Sequence, residues 1–196
     1  DMAAVDASSE AGRADWKKIL TRVLPYVDFF VPSAEELCFM LDRKRYGEWI
    51  QRAGGGDVTA VLDVDRDIKP LAEELLAMGA KVILIKCGAP GMYFRTASKE
   101  ALAQIGERAG VDPDAWADQE GFERSYRPQK ILSGTGAGDT SIAAFLTAML
   151  GGMPLSRCMQ LAAATGASCV ESYDALSGLK SFDELERKID HGWEKC

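Results

Sequence analysis

The chain has 196 residues, 47% of them hydrophobic and 27% charged, with a formal net charge of -7. That is enough for one domain with a sizeable core. No apolar run approaches the ~20 residues that span a bilayer. The acidity argues against a broad nucleic-acid surface, because polyphosphate backbones are gripped by summed positive charge. It leaves room for one nucleotide held by backbone N–H groups and a metal.

The opening D-M-A-A-V-D lacks the basic region and apolar core of a signal peptide. Met2 follows an Asp, and the run reads as the tail of a strand already under way, so upstream sequence is expected to be absent from this chain. Trp16, Ile19, Leu20, Val23 and Leu24 recur at helical spacing and predict an amphipathic helix with Ser8 or Ser9 as cap. Residues 26–31 are aromatic and β-branched, hence a buried strand. A helix after Ser33 carries Leu37, Met40 and Leu41, and another lies within residues 43–52, ended by Gly54, Gly55 and Gly56. Residues 58–64 read as strand or loop.

Ile68, Leu71, Ala72, Leu75 and Leu76 mark a further helix closed by Gly79. Residues 81–86 (K-V-I-L-I-K) are the clearest strand, and residues 92–95 form a second one beyond a Gly-containing turn. Residues 98–126 are polar and acidic, with Pro113, and are expected as short surface helices, an insertion or a mobile flap. Residues 130–132 read as a short strand. Ile142, Phe145, Leu146, Met149 and Leu150 mark the next helix, ended by Gly151, Gly152 and Pro154. A small-residue helix follows over residues 155–170, and a last helix starts at Ser181. Alternating helices and continuous apolar strands predict a single α/β domain over residues 1–196. Its expected form is a three-layer αβα arrangement around a mostly parallel sheet, whose ligands bind beyond the carboxyl ends of the strands.

Cys38, Cys87, Cys158, Cys169 and Cys196 are odd in number and contain no C-x-x-C pair. Neither a zinc site nor a disulfide framework is expected, and a reducing cytoplasm is the default compartment. His191 is the only histidine, which leaves Ser-His-Asp and Cys-His catalysis without support.

The chemistry concentrates in S-G-T-G-A-G-D-T at residues 133–140, which opens into an apolar-faced helix. Glycines there let the backbone approach a ligand and adopt positive φ. The first helical N–H groups lack intrahelical partners and the dipole adds positive charge, so the turn is a phosphoryl pocket. Asp139 sits at its edge. A base that takes a proton from an attacking hydroxyl would use a carboxylate there. A purely structural reading is also open, since acids suit a helix's first turn.

This stretch resembles the second signature of the ribokinase-like (PfkB) carbohydrate kinase family, roughly D-T-T-G-A-G-D. The resemblance implies that Gly136, Ala137 and Gly138 form an anion hole beside Thr135. It also implies that Asp139 deprotonates the sugar hydroxyl that attacks the γ-phosphate of ATP. Ser133 stands in place of the family's opening Asp, which helps hold a monovalent cation in members that bind one, so the residue that would argue for potassium activation is missing.

Residues 30–36 (F-V-P-S-A-E-E) are similar to the family's N-x-x-E element, which implies a Mg²⁺-side role for Glu36. Ser33-x-x-Glu36 is equally a helix capping box. Residues 83–91 are similar to the strand and G-x-x-G turn beside the nucleotide, matching at Gly88 and Gly91. Lys86 stands where many members have Thr, and it either reaches a phosphate or ends a strand in solvent. The small-residue helix with Ala163, Gly166 and Ala167 resembles the wall of the family's adenine pocket, although small residues also let two helices pack closely. Asp174, Ala175 and Gly178 resemble the loop that closes this region.

The resemblance implies a cytoplasmic sugar kinase that uses ATP and Mg²⁺. Its N-terminal sugar-binding half and lid are not in this sequence. Family dimers often pair through that lid, so a homodimer is compatible with the complete protein. A nucleotide-binding module without catalysis is the alternative, and a plain α/β scaffold is a third.

Overall fold

The computed structural model describes residues 8–196; the strand tail expected at the start of the chain lies outside them. Ser9 caps a short helix α1 (Glu10–Arg13), accepting from the Gly12 N–H at 2.9 Å. The amphipathic helix α2 (Trp16–Val23) has its own cap, Asp15, which accepts from the Lys18 N–H at 3.1 Å. The expected serine cap is therefore corrected: the extended backbone of Ala14 splits the segment into two helices. The expected apolar face is also split. Leu20 and Leu24 are buried, whereas Ile19 and Val23 are 41% and 47% exposed.

The strand expected over residues 26–31 shrinks to β1 (Phe29–Phe30), because Pro25 starts a 3₁₀ turn, Leu24–Tyr26, that uses up its beginning. Helix α3 (Ala34–Leu41) follows, then α4 (Arg43–Ala53), stopped by Gly54 in the left-handed region at φ 58°. Residues left open as strand or loop form a 3₁₀ turn, Val58–Val61, and a π turn, Val64–Ile68, leads into α5 (Lys69–Ala77).

Asp67 ties this connection to α4. Its buried carboxylate accepts from Trp49 Nε1 at 3.2 Å, Arg52 Nη2 at 2.9 Å, Arg66 Nη2 at 3.1 Å and the Asp63 N–H at 2.9 Å.

β2 (Val82–Lys86) is buried on both sides. Val82 and Leu84 belong to one core cluster with Phe145, Leu161 and Ala164, while Ile83 and Ile85 belong to the other with Leu37, Leu71 and Leu75. Side chains alternate across a strand, so a continuous apolar run means helices on both faces, which is the expected three-layer arrangement.

β3 (Gly91–Thr96) returns alongside β2. Two short helices, α6 (Lys99–Leu102) and α7 (Pro113–Trp116), precede β4 (Glu120–Arg124). The strands lie in the order β1-β2-β3-β4, with β1 and β2 parallel and the other two pairings antiparallel. Among the described residues the sheet is therefore mixed rather than mostly parallel. A four-residue turn joins β2 to β3, and a parallel pair needs a crossover of a dozen or more residues.

The stretch expected as a surface excursion is anchored. Leu102, Ile105 and Trp116 enter the first core cluster, Trp116 meets Phe145 edge-on at 6.1 Å, and residues 120–124 complete the sheet. Residues 130–132 form no strand, because the Leu132 and Ser133 amides both turn to the Val170 carbonyl, at 2.8 and 3.4 Å. Helices α8 (Ala137–Leu150), α9 (Leu155–Cys169) and α10 (Phe182–Asp190) follow as expected, the last with a Ser181–Glu184 capping box.

Candidate active site

The site is built at the start of α8. Gly136 occupies the cap position at φ 79°, where no side chain caps the helix. A Cβ on Gly136 would fall 2.3 Å from that of Ala175. Only glycine meets both conditions, since a left-handed conformation strains other residues. The Ala137 N–H turns back to the Gly134 carbonyl at 3.2 Å, and that of Thr140 bonds the Gly136 carbonyl at 2.9 Å. Between them, the Gly138 and Asp139 amides have no acceptor among the described residues. Those two donors lie at the positive end of a fourteen-residue helix, a place where negative charge is stabilised.

Asp139 projects from the same turn and is exposed, so its carboxylate is open to a ligand. Thr135 is also exposed; its N–H donates to Ser133 Oγ at 3.1 Å and its carbonyl accepts from Cys169 Sγ at 3.7 Å. Gly136→Ala is expected to lower stability by about 1–3 kcal/mol through the positive φ alone. Calorimetry of the variant checks this, and an unchanged melting temperature would contradict it.

Lys86 comes to this turn from the end of β2. A Cβ on Gly138 would lie 3.4 Å from Lys86 Cδ and 3.6 Å from its Nζ. The lysine side chain therefore ends against the turn that opens α8. Its N–H donates to the Pro32 carbonyl at 2.9 Å, and a bridge to Ser33 sets the start of α3 beside it. There the capping box is formed: Glu36 N–H to Ser33 Oγ at 3.2 Å, and Ser33 N–H to Glu36 Oε2 at 2.9 Å. The capping reading of Glu36 is thus realised, and it places the carboxylate on the Lys86 side of the fold. Glu35 next to it is held above the usual carboxylate range, first by burial and then by the charges of Asp57 and Glu36.

The turn after β2 is closed by Gly91 N–H to the Gly88 carbonyl at 3.2 Å, with Gly88 at φ 66°. A Cβ on Gly91 would fall 2.2 Å from the Glu123 carbonyl oxygen, so the turn is pressed against β4.

The small residues of α9 behave differently. Ala163 and Ala167 are buried in the first core cluster. Gly166 lets α9 approach α8, since a Cβ there would fall 2.4 Å from Ser141 Oγ. Their geometry favours close helix packing over an open base-binding wall.

Sequence reasoning missed Ile131, Tyr173 and Leu176, which are 74%, 78% and 70% exposed on the loops flanking the anion turn. Apolar residues outside any periodic element give no signal of their exposure. A separate cavity of about 460 Å³ lies on α2, lined by Asp15, Lys18, Ile19, Arg22 and Val23, and receives none of these residues.

A Gly-bounded helix start, an exposed acid and a strand-end lysine thus come together on one α/β fold. The model of the pfkB family of carbohydrate kinases matches residues 5–181, and the chain belongs to that family. It is 27% identical over 113 residues to an uncharacterised sugar kinase of Archaeoglobus fulgidus, covering 58% of this chain and 37% of that protein. Its fold is similar to that of Arabidopsis thaliana ribokinase solved with ribose and ATP (TM-score 0.60, 20% identity, 85% of this chain and 42% of that one). It is also similar to a putative ribokinase II from E. coli solved with ATP and Mg²⁺ (TM-score 0.56, 22% identity, 89% and 43%). The chain spans less than half the length of these relatives. No helix among the described residues is long and apolar enough to cross a membrane.

Proposed function

We propose that this chain supplies the nucleotide and phosphoryl-transfer side of an ATP-dependent sugar kinase. The observation that carries the reading is the pair of amides at Gly138 and Asp139 that have no acceptor among the described residues, with the Asp139 carboxylate exposed on the same turn and the Lys86 side chain against it. The amides and Lys86 would hold the terminal phosphate of ATP, and Asp139 would take the proton of the attacking sugar hydroxyl. Catalysis of this kind is mostly positioning and electrostatics, which suits a site made of fixed backbone donors.

Mg²⁺ binds through one or two carboxylates together with phosphates and water. Glu36, at the start of α3, fits that modest requirement and would hold the ion, which supplies counter-charge for the phosphates. The ATP and Mg²⁺ of the related structures support this pairing for those proteins. Ser133, at the position of the family's opening Asp, offers no carboxylate to a monovalent cation.

The test is ATP titration of this chain, read as a rise in melting temperature. Saturation at 100 times Kd should add about 2.7 kcal/mol. Lys86→Met should weaken ATP by roughly tenfold, the order of one lost charge-assisted contact. No thermal response to ATP would defeat the reading and leave an α/β scaffold. Binding without transfer is the second reading, favoured by Ser33 and Ser133 at polar family positions. A sugar-dependent ADP assay on the full-length gene product separates the two.

A further inference from the structure

The 3₁₀ turn Val58–Val61 has no role in the site as described, yet it touches the nucleotide turn. Thr59 is buried at 8% exposure. Its Oγ1 donates to Asp57 Oδ1 at 2.7 Å, and its N–H donates to the same oxygen at 2.8 Å. The hydroxyl proton is thereby committed and the side chain held in one orientation. What that side chain faces is Gly88: a Cβ built there would have Thr59 Oγ1 at 2.5 Å, Cβ at 3.1 Å and Cγ2 at 3.1 Å. All three nearest atoms come from this one residue.

We propose that Thr59, held by Asp57, is a positioning residue for the nucleotide turn and, through it, for Lys86. This rests on the reading that the Gly88–Gly91 side of the site meets ATP. The turn has two supports: β4 presses on Gly91, and Thr59 stands against Gly88. Gly88 is exposed and left-handed, so its backbone has many alternatives in the absence of the second support. Lys86 lies two residues upstream, and a shift of the turn moves the strand end that carries its side chain to Gly138. Asp57 reaches the turn through Thr59, which it holds by two hydrogen bonds.

The test uses the intact chain with ATP as the probe. Thr59→Val keeps the branched shape and removes the bond to Asp57. It should raise the ATP Kd about two- to tenfold, the range of one such hydrogen bond. Thr59→Ser keeps the bond and should stay within about twofold of the parent. Asp57→Ala removes both bonds to Thr59 and should raise the ATP Kd at least as much as Thr59→Val, and the double variant should be no weaker than Asp57→Ala alone, because the two residues act as a unit.

A parent chain that gives no thermal response to ATP overturns the nucleotide reading and this inference with it. A parent that binds ATP, with Thr59→Val binding equally well, overturns the inference alone. Equal losses of affinity in Thr59→Val and Thr59→Ser, tracking their melting temperatures, would show a merely structural capping role and also overturn it.

Discussion

Asp139→Asn, made in the full-length protein, should lose sugar-dependent turnover by about 10²–10⁴-fold while ATP affinity stays within roughly threefold. Asparagine keeps the size and position of the side chain but cannot accept a proton. The amides of Gly138 and Asp139 are backbone groups and survive the change. If the acid served only the helix dipole, the same substitution would cost about 0.3–1 kcal/mol of stability and leave turnover intact. The two readings thus separate on one steady-state assay beside one calorimetric scan, and near-normal turnover would sink the base assignment.

Asp67→Ala should be the most damaging single change to stability outside the apolar core. Asp67 is 4% exposed and receives Trp49, Arg52, Arg66 and the Asp63 N–H. Removing the carboxylate strands the buried Trp49 indole N–H and takes the partner from Arg52 and Arg66, whose side chains are 32% and 63% exposed and can turn to water, a loss of about 1–3 kcal/mol. In a chain of this size that is roughly a 5 °C fall in melting temperature.

Burial by itself would raise the Asp67 pKa. The hydrogen bonds from Arg66, the Asp63 N–H and Arg52 outweigh it and hold the group at about 2, against an ordinary 3.8. A carboxyl depressed on folding stabilises the folded form above its unfolded pKa and stops doing so as pH falls through the folded one. Its contribution, about 2 kcal/mol, is therefore full above roughly pH 4 and fades towards pH 2. Urea midpoints for parent and Asp67→Asn should converge over that window. Parallel curves would mean that the pairing is not what lowers the group.

The helices and the glycine turn that opens α8 were legible because their signals are local. Apolar spacing placed α3, α5, α8 and α9, and the glycines around Asp139 marked the helix start without any knowledge of what surrounds it. The sheet was less legible. Continuous apolar strands report burial on both faces but not direction, and the short turn after Lys86 was in plain view as the sign of an antiparallel return. Residues 98–126 misled through their overall polarity. Leu102, Ile105 and Trp116 are too widely spaced to form a periodic stripe, yet each reaches the core. Ala163, Gly166 and Ala167 show the limit from the other side: small residues fit both a flat ligand and a neighbouring helix, and only coordinates reveal the neighbour. The Thr59–Gly88 contact joins residues 29 positions apart and has no sequence signature at all.

β2 is a beam clamped between two floors, with Lys86 fixed at its tip. Any tilt of that beam has to disturb both hydrophobic layers at once, so thermal motion at the tip should be small compared with that of the loops around it. A ligand meeting Lys86 would meet a side chain whose root is already held, so that only the side chain itself remains to be ordered. The same stiffness limits adaptation: altered preference at this end of the molecule should arise from substitutions in the flanking loops near Ile131 and Tyr173, where change disturbs neither layer.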